Sequence, residues 1–236
     1  MNNSEAQWFG FERIAPDEKT NRVHSVFSSV AENYDLMNDL MSGGLHRLWK
    51  NALVARMRPR EGETIIDVAG GTGDIALRLA KATKGRSSLT VCDINLDMLR
   101  VGRAKAIDNG WLDAINWVEG NAEILPFKDN SADLVCIAFG LRNVTRIDSA
   151  LNEFFRVLKP GGRFFCLEFS PDVSTFLTHI YDLYSFSVLP WLGEAIAHDR
   201  AAYQYLAQSI RRFPTRDALA VRMKKTGFSN IKYSSM

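Results

Sequence analysis

Cysteine is scarce in this sequence. Cys92, Cys136 and Cys166 are the only three in 236 residues, and they stand far apart inside apolar runs. That excludes a disulfide scaffold and reads as buried, reduced thiols of a cytosolic protein. Histidine is equally sparse: His24, His46, His179 and His198 show no zinc spacing and no CxxC accompanies them, so no metal centre is expected. An excess of charge of one sign is lacking too. The 29 Lys+Arg against 27 Asp+Glu leave a net +2, without the basic excess of a dedicated nucleic-acid binder. The one basic stretch, Arg211, Arg212, Arg216, Arg222, Lys224 and Lys225, reads as a solvated helix face, with anionic lipid heads as the sharper alternative. No apolar run reaches the ~18–20 residues that span a bilayer; the nearest, Phe176 to Ala197, is interrupted by His179, Asp182, Pro190 and Glu194. The acidic start, MNNSEAQWFGFERIAPDEK, resembles neither a secretory signal nor a mitochondrial presequence.

What is present is an ordinary globular composition, 46% hydrophobic and 24% charged, which excludes disorder for most of the chain. There is no repeat and no low-complexity linker. Short apolar runs alternate with amphipathic stretches, the pattern of βαβ units. Helices are expected at 18–35, where Val23, Val26, Phe27, Val30 and Tyr34 recur at spacings of three and four, and at 45–57 after the Ser42-Gly43-Gly44 break. Strands are expected at Thr64–Ala69, Leu89–Cys92, Ile115–Glu119, Asp133–Phe139 and Arg163–Phe169. Helices follow Gly73 and span 96–108, with Asn95 as N-cap and Gly110 closing it. Helix 147–158 carries Ile147, Ala150, Leu151, Phe154, Phe155 and Leu158 on one face. A long helical insertion is expected over 172–212, then a helix at 215–226 and a last strand at Ser229–Ser234. Buried strands separated by helices predict a mainly parallel sheet covered on both faces. One domain fills 1–236: an N-terminal helical cap (1–60), a cofactor-binding core (61–170), a helical lid (171–212) and a C-terminal helix and strand (213–236).

The first of these strands runs into Gly70-Gly71-Thr72-Gly73, and Asp93 stands 20 residues after Gly73. Alone, this matches a nicotinamide-dinucleotide fingerprint. Asp67, just before the loop, argues otherwise: a carboxylate there repels a pyrophosphate and suits the ammonium of an amino-acid moiety. A ligand with a ribose diol for Asp93 and no pyrophosphate is S-adenosyl-L-methionine (SAM), which glycines let the backbone approach closely. Gly120-Asn121-Ala122-Glu123 follows the third strand, where Asn121 can bond an adenine through side chain or peptide. The bland alternatives are a loop-capping carboxylate for Asp67 and turn residues for Asp93 and Asn121.

These segments, with Phe139-Gly140-Leu141-Arg142-Asn143-Val144-Thr145 and Arg156-Val157-Leu158-Lys159-Pro160-Gly161-Gly162, resemble class I methyltransferase motifs. More specifically they resemble the ubiquinone/menaquinone biosynthesis C-methyltransferase family. Tyr34 to Asp39, Ser42 to Arg47, Tyr181 to Phe186 and Tyr203 to Leu206 extend the likeness over about residues 9–233. The resemblance implies a Rossmann-like α/β fold with sheet order 3-2-1-4-5-7-6, of which the final antiparallel strand is expected to be missing. It implies SAM as cofactor, held by Asp67, Gly71, Thr72, Gly73, Asp93, Asn121, Ala122 and Ala138. It implies a prenylated benzoquinol or naphthoquinol acceptor, methylated at a ring carbon. Arg142 would stabilise the forming phenolate and orient a water, or else serve as a structural ion-pair partner; Asn143 would position the ring hydroxyl. Asp182 is a candidate base, as are Asp199 and His198. Tyr181, Tyr184, Phe186, Tyr203 and Tyr205 either line a prenyl tunnel or pack between helices. Trp8, Phe9 and Phe11 would dip into a membrane surface or pack on the domain. The expected partners are the quinol, a transient membrane surface on its inner face, and a homodimer or a quinone-biosynthesis complex, with no nucleic acid. Two competing readings stay open: a SAM-binding assembly subunit without turnover, and a nicotinamide-dependent oxidoreductase.

Overall fold

The computed structural model describes residues 6–171 and 200–235. They fall into two compact units, one of residues 1–46 with 169–221 and one of residues 47–168 with 222–236.

The second unit is built on a sheet of five parallel strands: β3 (Thr64–Val68), β4 (Ser88–Asp93), β5 (Ile115–Glu119), β6 (Ala132–Ala138) and β7 (Leu158–Leu167). Their spatial order is β5-β4-β3-β6-β7, and every neighbouring pair runs parallel. Side chains alternate between the faces of a strand. One set, including Ile65, Leu89, Val91, Leu134 and Cys136, packs against α3 (Leu45–Met57), α4 (Asp74–Ala82) and α5 (Leu96–Asp108) through Met57, Ile75, Leu79, Leu99 and Ala106. On the opposite face, α6 (Ile147–Val157) buries Ala150, Leu151, Phe154 and Val157. There Phe154 and Phe228 both meet Phe164 of β7, with centroids 5.2 and 5.4 Å away. Each fully buried Leu, Ile or Phe contributes about 1.5–3 kcal/mol, so these two layers dominate the stability of the unit.

Local signals act where the sequence places them. Asn95 caps α5, its Oδ1 accepting from the Asp97 and Met98 amides. Gly110 takes φ +73 beyond its end. Lys159-Pro160-Gly161-Gly162 stops α6 but does not precede the strand. β7 already pairs at Leu158, and the register jumps between Ala132 and Leu134 to accommodate the extra residues.

The first unit holds a hairpin, β1 (Gln7–Phe9) and β2 (Glu12–Ile14), with α1 (Pro16–Val30), α2 (Tyr34–Ser42) and α7 (Arg200–Arg212). Val23, Val30, Met37, Tyr203, Leu206 and Ile210 form its core. The helix expected over 18–35 is two helices, because the chain turns at Ala31–Asn33, where the Asn33 amide donates to Val30 O. The spacing concealed the break, since Val30, before the turn, and Tyr34 and Met37, after it, face one cluster. Gly43, at φ +57, ends α2.

The last helix, α8, runs Arg216–Thr226. The strand expected at Ser229–Ser234 is not formed: among the described residues that segment joins no ladder. Without a neighbouring strand to pair with, Ile231 is half-buried and Tyr233 exposed, and Ser234 instead accepts from the Arg56 guanidinium. Of the expected insertion, residues 172–199 lie outside the described residues. No helix among the described residues is long and apolar enough to cross a membrane.

Candidate active site

The carboxyl ends of parallel strands leave a crevice where open α/β sheets bind ligands, and the expected site residues converge on that edge. Asp67, near the end of β3, is fully buried at 0% exposure. Its Oδ1 accepts from the Cys136 thiol at 3.5 Å. Its Oδ2 has no hydrogen-bond partner among the described residues and lies against Gly70, where a Cβ would come within 2.8 Å of it. Burial pushes the Asp67 carboxyl up to about 7. The thiol opposes the rise, Asp93 and Asp74 add to it, and Lys50 opposes it from a distance.

The glycine loop has the geometry its residues predict. Gly71 and Gly73 take φ +54 and +73. A Cβ on Gly73 would stand 2.5 Å from the Trp117 ring, so any side chain there is both strained and obstructed. The loop is closed by Gly73 N donating to Gly70 O at 2.9 Å, and tied to β4 by Gly71 N donating to Asp93 Oδ2 at 2.8 Å. Asp93 Oδ1 accepts from the Asn95 amide at 2.9 Å. Asp93 therefore shapes the loop with both carboxylate oxygens. Thr72 Oγ1 and Trp117 Nε1 join Asp67 Oδ2 as buried polar atoms with no hydrogen-bond partner among the described residues. Such atoms are costly in a dry fold. The acceptor among them that lies at the glycine loop, Asp67 Oδ2, fits a ligand with a cationic group.

Asn121 forms a tight turn, its Oδ1 accepting from the Glu123 amide at 2.9 Å. The neighbouring Ala122 is buried. Ala138 is the last residue of β6 and packs partly buried on the core. After it the chain is crowded: Phe139 and Ala69 both take positive φ, +57 and +49, and a Cβ on Gly140 would lie 2.7 Å from that of Ala69. Non-glycine residues held there cost about 1–3 kcal/mol each, so the ends of β3 and β6 store strain at this edge.

Arg142 and Asn143 form the turn that follows. Arg142 Nη1 donates to Phe139 O at 2.6 Å and to Glu168 Oε1 at 2.7 Å. Glu168 Oε2 accepts from the Arg142 amide at 3.2 Å. The two side chains are 3% and 4% exposed. Asn143 Nδ2 donates weakly to Phe139 O at 3.4 Å.

Sequence reasoning missed four participants. Glu168 is one; its signal was a lone carboxylate inside the apolar run Phe164 to Phe169. Lys50 is another, a buried lysine 2.7 Å from Asp74 Oδ2 and 5.9 Å above the Phe139 ring. Cys136 is the third. Glu123 is the fourth: its Oε1 accepts from the Thr145 and Arg146 amides at 3.1 and 3.0 Å, joining the loop after β5 to that after β6. Asp182, with Tyr181, Tyr184, Phe186, His198 and Asp199, lies outside the described residues. Tyr203 and Tyr205 are described and buried in the first unit's core. Cys92 and Cys136 are buried, while Cys166, expected to be buried, is half-buried.

A parallel five-strand sheet with a glycine loop after its central strand, a buried carboxylate before that loop and a second carboxylate at the end of the next strand defines a class I SAM-dependent methyltransferase. The comparisons agree. A SAM-dependent methyltransferase of Thermotoga maritima shares the fold, with a TM-score of 0.63 at 20% identity, over 88% of this chain and 82% of that one. Residues 15–236 match the ubiE/COQ5 methyltransferase family. The ubiquinone/menaquinone biosynthesis C-methyltransferase UbiE of Bartonella tribocorum is 53% identical, over 97% of this chain and 88% of that one. The human mitochondrial 2-methoxy-6-polyprenyl-1,4-benzoquinol methylase is 46% identical, over 97% and 80%. This chain belongs to the ubiE/COQ5 methyltransferase family.

Proposed function

We propose that this enzyme methylates a ring carbon of a prenylated benzoquinol, a demethylmenaquinol, or both, in ubiquinone/menaquinone biosynthesis. The observation that carries the reading is the 53% identity to a C-methyltransferase of both pathways over nearly the whole chain. The name of the human relative supports the benzoquinol arm.

Bound SAM supplies an electrophilic sulfonium methyl group. Asp67 faces its ammonium, Asp93 its ribose hydroxyls, and Gly71, Thr72 and Gly73 let the backbone approach closely. Asn121 has committed its side-chain oxygen to a turn, so it reads the adenine by its amide nitrogen or peptide, beside Ala122, with Ala138 at the end of β6 flanking the crevice. The acceptor needs a ring hydroxyl deprotonated so that the ring carbon becomes nucleophilic. Arg142 stays protonated and cannot take that proton. Paired with Glu168 it carries little net charge, and it serves as an oriented donor to the forming phenolate and to the water that accepts the proton. Asn143 positions the hydroxyl. Asp182 remains the proposed base.

Contact with a membrane surface belongs to the same reading, since a prenyl tail resides in lipid. Trp8 and Phe11 are 37% and 47% exposed. The Arg212 guanidinium stands 3.8 Å from the Trp8 centroid and 5.5 Å from that of Phe11, a cationic aromatic face suited to anionic lipid. Phe9, by contrast, stacks on Tyr205 at 4.3 Å and takes no part.

The test is turnover by the full chain with SAM and each reduced, demethylated prenyl quinol in detergent, with product read by mass spectrometry. Methylation of either acceptor supports the proposal. Tight SAM binding with neither acceptor methylated contradicts it.

A further inference from the structure

Asp67 is a carboxylate with two inequivalent oxygens, and what distinguishes them is a thiol. Asp67 and Cys136 stand opposite one another in the parallel ladder of β3 and β6. The Cys136 thiol donates to Oδ1. Oδ2 is left against the Gly70 turn, buried and with no hydrogen-bond partner among the described residues.

We propose that Cys136 is a positioning residue for the cofactor: its S–H holds the Asp67 carboxylate with Oδ2 directed at the glycine loop and favours the ionised form that the cofactor's ammonium requires. The inference rests on the reading of Asp67 as the partner of that ammonium. Burial raises the thiol's pKa well above its ordinary value, and the charge of Asp67 adds to this, so Cys136 remains a donor across the working pH range. A hydrogen bond to the charged form of a carboxylate favours that form. The other charged and titratable groups acting on Asp67 are Asp93 at the end of β4, Asp74 in α4 and Lys50 in α3, with the Cys92 thiol of β4 also within reach of its charge. Two of the charges disfavour ionisation and one favours it, which leaves the thiol as the nearest group on the favourable side.

The pair Cys136→Thr and Cys136→Val separates donation from packing, because Thr and Val have nearly the same shape and only Thr donates. The measurement is SAM affinity of the full chain by titration calorimetry between about pH 5.5 and 7.5, below the ~7.7–8.0 at which an α-amino group loses its proton. Cys136→Val is expected to bind SAM about tenfold more weakly at pH 7 and to move the acid limb of binding up by about one pH unit, the change that one lost charge-assisted hydrogen bond represents. Cys136→Thr is expected to stay within about threefold of the parent. Cys136→Ala, which also lacks the donor, replaces Val should Val fail to fold. Equal weakening in Thr and Val at every pH, or parent-like binding in both, overturns the role of Cys136. Asp67→Asn in the same series guards the underlying reading: parent-like SAM binding there refutes the role of Asp67 itself, whereas loss of binding in Asp67→Asn with no difference between Thr and Val refutes only Cys136.

Discussion

Replacing Asp67 by Asn should make the ligand-free protein more stable at neutral pH while removing its grip on SAM. The carboxyl is buried, and burial lifts it from the ordinary 3.8 to about 7. In the unfolded chain it ionises near pH 4; in the folded protein it holds its proton to about pH 7. Between these values folding takes up a proton, so stability falls as pH rises, by about 1.4 kcal/mol per unit. The loss is complete above pH 7 and amounts to about 4 kcal/mol. Asn carries no such dependence. Its amide offers donors to the same buried space, which costs about 1–3 kcal/mol if they stay unpaired. The slope against pH is therefore more diagnostic than the absolute gain. Denaturant unfolding of parent and variant between pH 5 and 8, followed by circular dichroism, measures it. The two stabilities should diverge as pH rises, in favour of Asn, and saturating SAM should reverse the order by stabilising only the parent. Parallel stabilities across that range would refute the buried, ligand-awaiting carboxylate.

Other consequences follow from single contacts. Gly73→Ala should abolish SAM binding, measured by calorimetry, because its Cβ meets the Trp117 ring at 2.5 Å and its φ is +73. Arg142→Ala should lower kcat about a hundredfold with SAM affinity nearly unchanged, and should lower stability by about 3–5 kcal/mol by breaking its buried ion pair with Glu168. The double variant Arg142→Met with Glu168→Met should recover that stability in urea unfolding but none of the turnover. Asn95→Ala should cost about 1 kcal/mol through the lost cap of α5, seen as a lower melting temperature. Trp8→Ser with Phe11→Ser should reduce co-sedimentation with phosphatidylglycerol vesicles and leave SAM affinity intact.

The cofactor edge was legible because its signals are local. A β-branched run marks β3 through Thr64, Ile65, Ile66 and Val68, glycines mark the turn after it, and Asn95 marks the start of α5. The pairings that set the chemistry were not local. Cys136 meets Asp67 across 69 residues, and Glu168 meets Arg142 across 26. Both depend on strand register, which no short window encodes. The hairpin at 7–14 escaped because its strands are three residues long and show no alternating buried face. The break between α1 and α2 escaped because both helices present residues to one core. The strand expected at 229–234 has Ile231 and Tyr233 at alternate positions, but it pairs with no neighbour among the described residues.

The most direct test of the central claim follows the methyl carbon. SAM carrying a ¹³C-labelled methyl group would be turned over by the full chain with a reduced, demethylated prenyl quinol, and the extracted lipid examined by NMR. Label should appear as a methyl group on a ring carbon. Label in a methoxy group, or label that stays on SAM bound to the protein with the quinol unchanged, would contradict the assignment as a quinol C-methyltransferase.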